Sequence, residues 1–337
     1  DINIDSINGV FTSPALSTIA FDNTDTADNS CRSTSAVHIV DMKAAEITTT
    51  GTSDDRIANR TISQCVGSIN IFSKEGPQQP LISRGAVGLT GSFKVVNRVN
   101  NTTVWSGTNV DIGNSTSAST YTWDFAQIRP DSTDISNRAT FEDIAGNPPS
   151  NTNIISTKDM GLGVDIIESD ATLAGLDSDE MFDAFFPLGK TAMKELADGQ
   201  GQALDSADTG FDIGDLDGKN GVMWVDGDVS MTGTTIGASG DPAALIINGN
   251  LSITGNPIIY GVLYVMGQID AAGTVKVIGS TIVEGNDAIM AAGGHTGEDP
   301  VVGTGGVDLT YSPFTQHQSD KAFKGTATVI SGSWRDW

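Results

Sequence analysis

Residues 221–285 decide the fold, because glycine returns there at every sixth position. The pattern opens with GVMWVDGDVSMTG (221–233) and continues through INGNLSITGNPIIYGVLYVMG (247–267). Its glycines stand at 221, 227 and 233, and then at 249, 255, 261, 267, 273, 279 and 285. The two runs are separated by 16 positions, which equal two hexads and a four-residue insertion between Gly237 and Pro242.

Within the hexads the third and fifth positions are mostly apolar, as in Met223/Val225, Leu251/Ile253 and Leu263/Val265. Alternation with a period of two puts both residues of a pair on the same strand face. A glycine every six residues allows a tight corner, so each hexad is predicted to form one short strand and a turn. Three such strands make one coil, and stacked coils form a parallel β-helix with an apolar interior. An antiparallel sheet with glycine turns is the alternative.

The rest of the chain divides into segments of different character. Residues 1–160 consist of short β-branched runs separated by polar turns, which predicts a β-rich head domain. Residues 161–220 hold a capping signature at Asp177 and Glu180, which predicts a helical joint of two short helices, the second opened by Pro187, and an acidic loop. The expected fold is therefore mainly β: head (1–160), joint (161–220), parallel β-helix (221–290) and C-terminal cap (291–337).

The charge balance excludes several function classes. The chain has 337 residues, with 18 Lys and Arg against 42 Asp and Glu, so its formal net charge is −24. Nucleic-acid binding requires a basic surface, and the sequence has no cluster of Lys or Arg, so no nucleic-acid partner is expected. The same charge disfavours contact with an anionic membrane surface.

Two cysteines, Cys31 and Cys65, both stand in the first fifth of the chain. No CxxC motif or Cys/His cluster accompanies them, which argues against a zinc site. We predict that they form one disulfide, typical of an oxidising compartment. The alternative is two buried free thiols.

The acidic loop before the first hexad is the candidate metal site. Asp212, Asp215, Asp217 and Asn220 place oxygen donors at short intervals before a glycine turn, and calcium takes six to eight oxygen ligands. The spacing departs from the EF-hand pattern, since Ile213 and Trp224 occupy ligand positions. Calcium is therefore a candidate cofactor, and the only one that the sequence suggests. The alternative is a solvated acidic loop.

Several phrases follow one another in a fixed order, namely VVNRVNNTTVWSG (95–107), SDEMFDAFF (178–186), GVMWVDGDVSMTG (221–233), DPAALIINGNLSITGNPIIYGVLYVMG (241–267), VIGSTIVEGN (277–286) and SWRDW (333–337). In this order they resemble the PilX-type pilus assembly proteins, which are minor pilins or pilin-like proteins of the bacterial type IV pilus. The resemblance extends over residues 92–337, and the glycine-hexad phrases are its most specific part.

Members of that family begin with a hydrophobic helix that anchors them in the inner membrane. This sequence has no stretch approaching the roughly 20 apolar residues of a membrane span, and it opens with Asp1-Ile-Asn-Ile-Asp5. The expectation is either a chain from which the helix has been removed or a protein that shares only the head of the family.

The resemblance implies a non-enzymatic structural or adhesive protein at the bacterial cell surface, periplasmic before assembly. Its expected partners are other pilus subunits or its own copies in a filament, together with surface glycans. No catalytic residue is assigned, because His38, His295 and His317 are far apart in sequence. The alternative is a carbohydrate-binding or carbohydrate-cleaving β-helix protein, in which Asp226 and Asp228 beside one corner would be the candidate carboxylates.

Overall fold

The computed structural model of the protein describes residues 9–12, 42–53, 59–69, 72, 76–99, 102–113, 119–123, 154–156, 165–285, 300–312, 328–329 and 335–336. The chain divides into two compact units. One contains Asp1–Asn70 with Gly325–Trp337, and the other contains Ile71–Lys324. The predicted boundaries at 160, 220 and 290 do not coincide with this division.

The described strands are β1 (Gly9–Thr12), β2 (Met42–Ser53), β3 (Asn59–Ile69), β4 (Leu81–Ser83), β5 (Val87–Leu89), β6 (Lys94–Asn97), β7 (Val104–Ser106), β8 (Val110–Asp111), β9 (Ser119–Trp123), β10 (Ile154–Ser156), β11 (Ile166–Ile167), β12 (Ala203–Asp205), β13 (Gly221–Asp226), β14 (Val229–Met231), β15 (Thr235–Ile236), β16 (Ala243–Asn248), β17 (Leu251–Ile253), β18 (Ile258–Val265), β19 (Ile269–Ala271), β20 (Lys276–Val283), β21 (Val301–Gly303), β22 (Asp308–Thr310), β23 (Thr328–Val329) and β24 (Arg335–Asp336). The helices are α1 (Ala171–Ala174), α2 (Ser178–Phe185) and α3 (Gly189–Gly199), with a 3₁₀ helix at Ile213–Leu216. No helix in the described ranges has the length and apolar character needed to cross a membrane.

The smaller unit is an antiparallel sheet in the order β1-β2-β3-β23, with β24 also paired to β3. The long pair β2 and β3 runs in register from Met42 opposite Ile69 to Thr52 opposite Asn59. Because β23 and β24 also join β3, strands from both ends of the chain belong to one sheet.

The predicted disulfide concerns this unit but stays a prediction. Cys31 lies outside the described residues, and Cys65 is placed only by its backbone in β3, opposite Glu46. If the bridge forms, thiol labelling of unfolded, unreduced protein should detect no free thiol, and reduction should release two. Two labelled thiols before reduction would remove the argument for an oxidising compartment.

The larger unit contains parallel strands arranged in three runs. The first run is β12-β13-β16-β18-β20-β4-β7-β11, and the second is β14-β17-β19-β21-β5-β8. The third run is β15-β18-β20-β22-β6-β9, whose last strand pairs antiparallel with β10. Strands β18 and β20 each have eight residues, and their two halves take part in the third and first runs respectively.

The hexad strands pair in parallel, with each apolar residue opposite its counterpart in the next strand. Val225 pairs with Ile247, Ile247 with Val265, and Val265 with Val283, and all four side chains are buried. The predicted mainly β class is confirmed, with parallel sheets. The antiparallel alternative is wrong for these strands, because every described pairing among them is parallel.

Helices α2 and α3 pack on the outer side of the first run. Helix α2 begins as predicted: the Asp177 carboxylate accepts from the Glu180 N–H, and the Glu180 carboxylate accepts from the Asp177 N–H. Helix α3 begins at Gly189, two residues later than predicted, because Pro187 lies in the turn between the helices. Both faces of this run are therefore buried, so its strands lack the alternation of a solvent-facing strand.

Strands from the N-terminal part of the chain extend all three runs. Leu81 pairs with Thr281, Val87 with Val301, and Lys94 with Asp308. The predicted C-terminal cap is divided: β23 and β24 belong to the sheet of the smaller unit, whereas residues 300–312 lie inside the runs as β21 and β22. The described strands of the predicted head between residues 81 and 123 then follow them. We call this junction between early and late strands the seam.

The opposite end of the runs is covered by the acidic loop. Ile213 and Leu216 of the 3₁₀ helix are buried in the same apolar cluster as Met223 and Val225. An exposed end of the runs would leave apolar side chains in water, so these two residues cover that end.

Candidate functional site

The most unusual chemistry in the described residues lies between the helices and the first run. Phe182 and Phe186 of the α2 region pack on Tyr264, with ring centroids 5.1 and 5.4 Å from the tyrosine ring. Phe182 also contacts Trp224, at 6.2 Å between centroids. This aromatic layer excludes water from the polar side chains beside it.

A cluster of polar side chains is centred on Glu284, which directly follows β20 and is 1% exposed. Tyr264 donates a hydrogen bond of 2.6 Å to one carboxylate oxygen, and Ser178 donates one of 2.5 Å to the other. Lys190 of α3 donates to Ser178 at 2.5 Å, and its Nζ lies 3.6 Å from Glu284 Oε1. Glu284 is thus contacted from β18, α2 and α3, and we call these four residues the Glu284 cluster.

Arg84, which follows β4 on the other side of the seam, makes hydrogen bonds to this region. Its guanidinium group is buried and donates to three carbonyl oxygens: those of Leu176 (3.0 Å), Glu284 (2.8 Å) and Gly285 (2.9 Å). Only the forked guanidinium group can reach three acceptors in a fixed plane. Arg84 therefore joins the segment after β4, the segment after β20 and the approach to α2.

The electrostatics of the cluster follow from its burial. Burial raises the pKa of the Glu284 carboxyl, and the hydrogen bonds from Ser178 and Tyr264 offset this only in part. Burial and the neighbouring Glu284 carboxylate raise the pKa of the Tyr264 hydroxyl well above its usual value. The protonated form of each group is therefore favoured more than it would be in water.

Replacing Arg84 by lysine tests the link across the seam. An ammonium group cannot satisfy three carbonyl oxygens in the guanidinium geometry, so we expect Arg84→Lys to lower the free energy of unfolding by roughly 2–3 kcal/mol. Denaturant unfolding of the wild type and variant measures this. An unchanged midpoint would mean that the three hydrogen bonds contribute nothing net to stability.

No family model, curated protein or solved structure matches this chain. Function must therefore be argued from the residues themselves.

Three of the four predicted calcium ligands accept hydrogen bonds from other residues. The Asp212 carboxylate accepts from the Gly214 N–H at 2.8 Å, and the Asp217 carboxylate accepts from the Thr235 N–H at 2.7 Å. Asn220 contributes its backbone carbonyl oxygen, which accepts from Gln202. Among the described residues, no three His, Cys, Asp or Glu side chains gather in a group that could hold a metal ion. The predicted set of Asp212, Asp215, Asp217 and Asn220 is thus not assembled as a calcium site.

The physical reason is that aspartate side chains also satisfy backbone N–H groups in turns. We accordingly expect the thermal midpoint of unfolding to be the same in excess calcium and in chelator. A midpoint that rises with calcium concentration, and no longer rises in Asp215→Ala/Asp217→Ala, would restore the calcium hypothesis.

The carboxylates at the first corner are also engaged. Asp226 accepts from Trp224 Nε1 and Asn248 Nδ2, both at 2.9 Å, and pairs with Lys194 at 2.6 Å. Partial burial acts to raise the pKa of Asp226, but these hydrogen bonds outweigh it and lower the pKa. The Asp228 carboxylate accepts from the backbone N–H of Asn250 at 2.8 Å. Both side chains therefore join the corner at the end of β13 to the corner at the end of β16.

Sequence reasoning missed the Glu284 cluster and Arg84. Glu284 stands 20 positions from Tyr264, 94 from Lys190 and 200 from Arg84, so no local motif brings them together. The available signal was the position of Glu284 itself, a charged residue directly after the apolar pair Ile282-Val283. A charge at that point is costly to bury unless it is paired, which predicts a partner from elsewhere in the fold.

Proposed function

We propose that this chain is a non-enzymatic structural or adhesive protein of the type IV pilus class, acting as a minor pilin or pilus-assembly subunit at the bacterial cell surface. We further propose that its parallel runs are the three faces of a β-helix. Its partners would be other pilus subunits or further copies of itself in a filament, and surface glycans.

The observation that carries the β-helix is that the step from β16 to β18, from β17 to β19 and from β18 to β20 is the same in all three runs. Ala244 pairs with Val262 in the first run, Leu251 with Ile269 in the second, and Ile258 with Lys276 in the third, so each step is 18 residues. Equal steps in three runs are what a coil of three six-residue strands produces. Apolar residues from each of the three runs, such as Val225, Leu251 and Ile259, also belong to a single buried cluster, as a shared interior requires.

The non-enzymatic part of the proposal draws on what the acidic residues do. Asp226 and Asp228 are held in hydrogen bonds at a corner, and Glu284 is sealed beneath the aromatic layer. A catalytic carboxylate must reach a substrate atom, directly or through one water. The three histidines, His38, His295 and His317, lie outside the described residues.

The structural role is supported by the shape of a strand stack. A β-helix presents long, regular faces, and each coil contacts only its neighbours. The second run keeps polar side chains such as Ser230 and Asp270 exposed on its outer side. Together with the sequence resemblance, this favours a protein that contacts partners over an extended surface.

Two experiments test the proposal. In the bacterium that encodes the chain, the protein should be recovered with pili sheared from the cell surface, and deletion of its gene should reduce piliation or adhesion. Absence from sheared filaments together with normal piliation and adhesion of the deletion strain would contradict it. Incubation with a panel of polysaccharides tests the alternative: cleavage that is abolished by Asp226→Asn or Asp228→Asn would identify a carbohydrate-cleaving enzyme.

A further inference from the structure

The Glu284 cluster contains a continuous chain of hydrogen-bond donors from an amine to a carboxyl group. Lys190 Nζ donates to Ser178 Oγ, and Ser178 Oγ donates to Glu284 Oε2, both at 2.5 Å. The other oxygen, Oε1, accepts from Tyr264 at 2.6 Å and lies 3.6 Å from Lys190 Nζ. A nucleophile, an acyl group, a proton relay and a donor to the acyl oxygen therefore stand together in one site.

From this arrangement we propose that Lys190 and Glu284 become joined by an amide bond in the folded protein. The bond would fasten helix α3 covalently to the end of strand β20. The cross-link is an autocatalytic modification that needs no cofactor, oxidant or added reactant, and it is independent of the pilus assignment.

The atoms of the reaction balance. A proton passes from the Lys190 ammonium through Ser178 to Glu284 Oε2, leaving an amine and a carboxylic acid. The amine nitrogen attacks Cδ, and the negative charge that develops on Oε1 is stabilised by the Tyr264 hydroxyl. A second proton leaves the nitrogen for Oε2, the Cδ–Oε2 bond breaks, and one water departs as the Nζ–Cδ bond is completed.

Burial supplies the driving force that this condensation lacks in water. The Glu284 side chain is 2% exposed and the Lys190 side chain is 24% exposed. Lys190 Nζ also lies over the Phe182 ring, 5.8 Å from its centroid. Burial raises the pKa of Glu284, which favours the protonated acyl group that the reaction requires. Groups held in reactive geometry can reach effective molarities of about 10⁵–10⁸ M, which favours bond formation within one molecule.

Two nearby ion pairs lack these features and serve as comparisons. Lys190 also lies 3.2 Å from Asp179, but that carboxylate side chain is 85% exposed and keeps its hydration. Lys194 and Asp226 are 2.6 Å apart, yet the lysine side chain is 50% exposed. The charged groups are thus close together in all three pairs. Of the three, the Lys190–Glu284 pair is the one that combines a buried carboxyl group with a neighbouring hydroxyl that can relay a proton.

The test is the intact mass of the folded full chain, measured after denaturation so that only covalent links remain. We expect a mass lower than that of the sequence by one water. Trypsin should then yield residues 159–194 joined to residues 277–321, with Lys190 uncleaved and fragmentation placing the link at Glu284. A wild-type mass without the loss would overturn the proposal, as would a link to Asp179, which would close a loop within 159–194.

Variants and an unfolded control separate this link from other dehydrations. Lys190→Arg should restore the full mass, while Lys194→Arg, the matched control, should keep the loss. Chain held in denaturant from synthesis should have the full mass and lose water only after refolding. Cyclisation at an Asp-Gly pair such as Asp217-Gly218 also removes one water. A loss that persists in Lys190→Arg or in never-folded chain would therefore contradict the proposal.

Discussion

Val265→Asp is expected to lower the free energy of unfolding by about 4 kcal/mol or more, a large part of a typical folding margin. Val265 is fully buried and lies in register between Ile247 and Val283, inside the apolar cluster shared by the three runs. A carboxylate there has no partner. Denaturant unfolding, or loss of soluble folded protein, measures the effect.

The matched control is Thr254→Asp, one residue beyond the buried Ile253 at the end of β17. The Thr254 side chain is exposed, so a charge there keeps its hydration and should change stability by less than about 0.5 kcal/mol. If the two substitutions had equal effects, the inward and outward positions of these strands would be misassigned.

Gly255→Ala is the second large effect, although it adds one methyl group. A Cβ atom at Gly255 would overlap the carbonyl group of Thr232, which follows the neighbouring strand β14, and would lie 2.8 Å from the Cα of Thr232. These are backbone atoms of a paired strand end and cannot move aside independently. We expect a loss of roughly 3 kcal/mol in the free energy of unfolding, at the upper end of overpacking effects.

Gly233→Ala provides the comparison within the same corner column. Gly233 follows β14, and a Cβ atom added there would have no heavy atom of another segment within 4 Å. Neither glycine has a positive φ, so backbone conformation does not distinguish them. Alanine at 233 should be neutral or slightly stabilising, by up to about 1 kcal/mol. A large loss of stability in both variants would mean that the backbone conformation of these corners requires glycine, and that the close approach of Thr232 to Gly255 does not explain the effect.

This comparison also shows what the hexad pattern could and could not predict. The period of six and the apolar third and fifth positions predicted parallel strands with Val225, Ile253 and Val265 inside, because those features are repeated many times within a short segment. The sequence predicted that glycine is needed at the corners for its backbone conformation, and this reason holds at some corners but not at others. At Gly227 the chain has φ +85°, as a corner conformation requires, whereas at Gly255 the close approach of Thr232 requires glycine.

The contribution of the N-terminal strands was missed because its signal is weak. Gly85 and Gly91 are six residues apart, as are Gly107 and Gly113, and the two pairs are separated by 22 residues like Gly227 and Gly249. Two pairs of glycines in a glycine-rich chain do not stand out. Their partners lie about 200 positions away, and pairing over such a distance depends on the whole fold.

The Glu284 cluster was unpredictable for a related reason. Its members come from β18, α2, α3 and the end of β20, and their meeting depends on how the helices lie on the first run. The acidic loop is the opposite case. Its aspartates are close in sequence, but Asp212 and Asp217 accept from backbone N–H groups, and Ile213 and Leu216 are buried at the end of the runs.

The seam has a consequence for how the protein is made. Strands β4 to β9 leave the ribosome, or cross a membrane, well before their neighbours β20, β21 and β22 exist. Their N–H and C=O groups on the seam side have no strand to pair with until about residue 310 has been delivered. Closing a loop of this length is slow, so the early strands remain open to chaperones and to aggregation during that interval. Synthesis from one end therefore cannot add these strands to the sheets in the order of the sequence, and the sheets are completed only after β22 has been made.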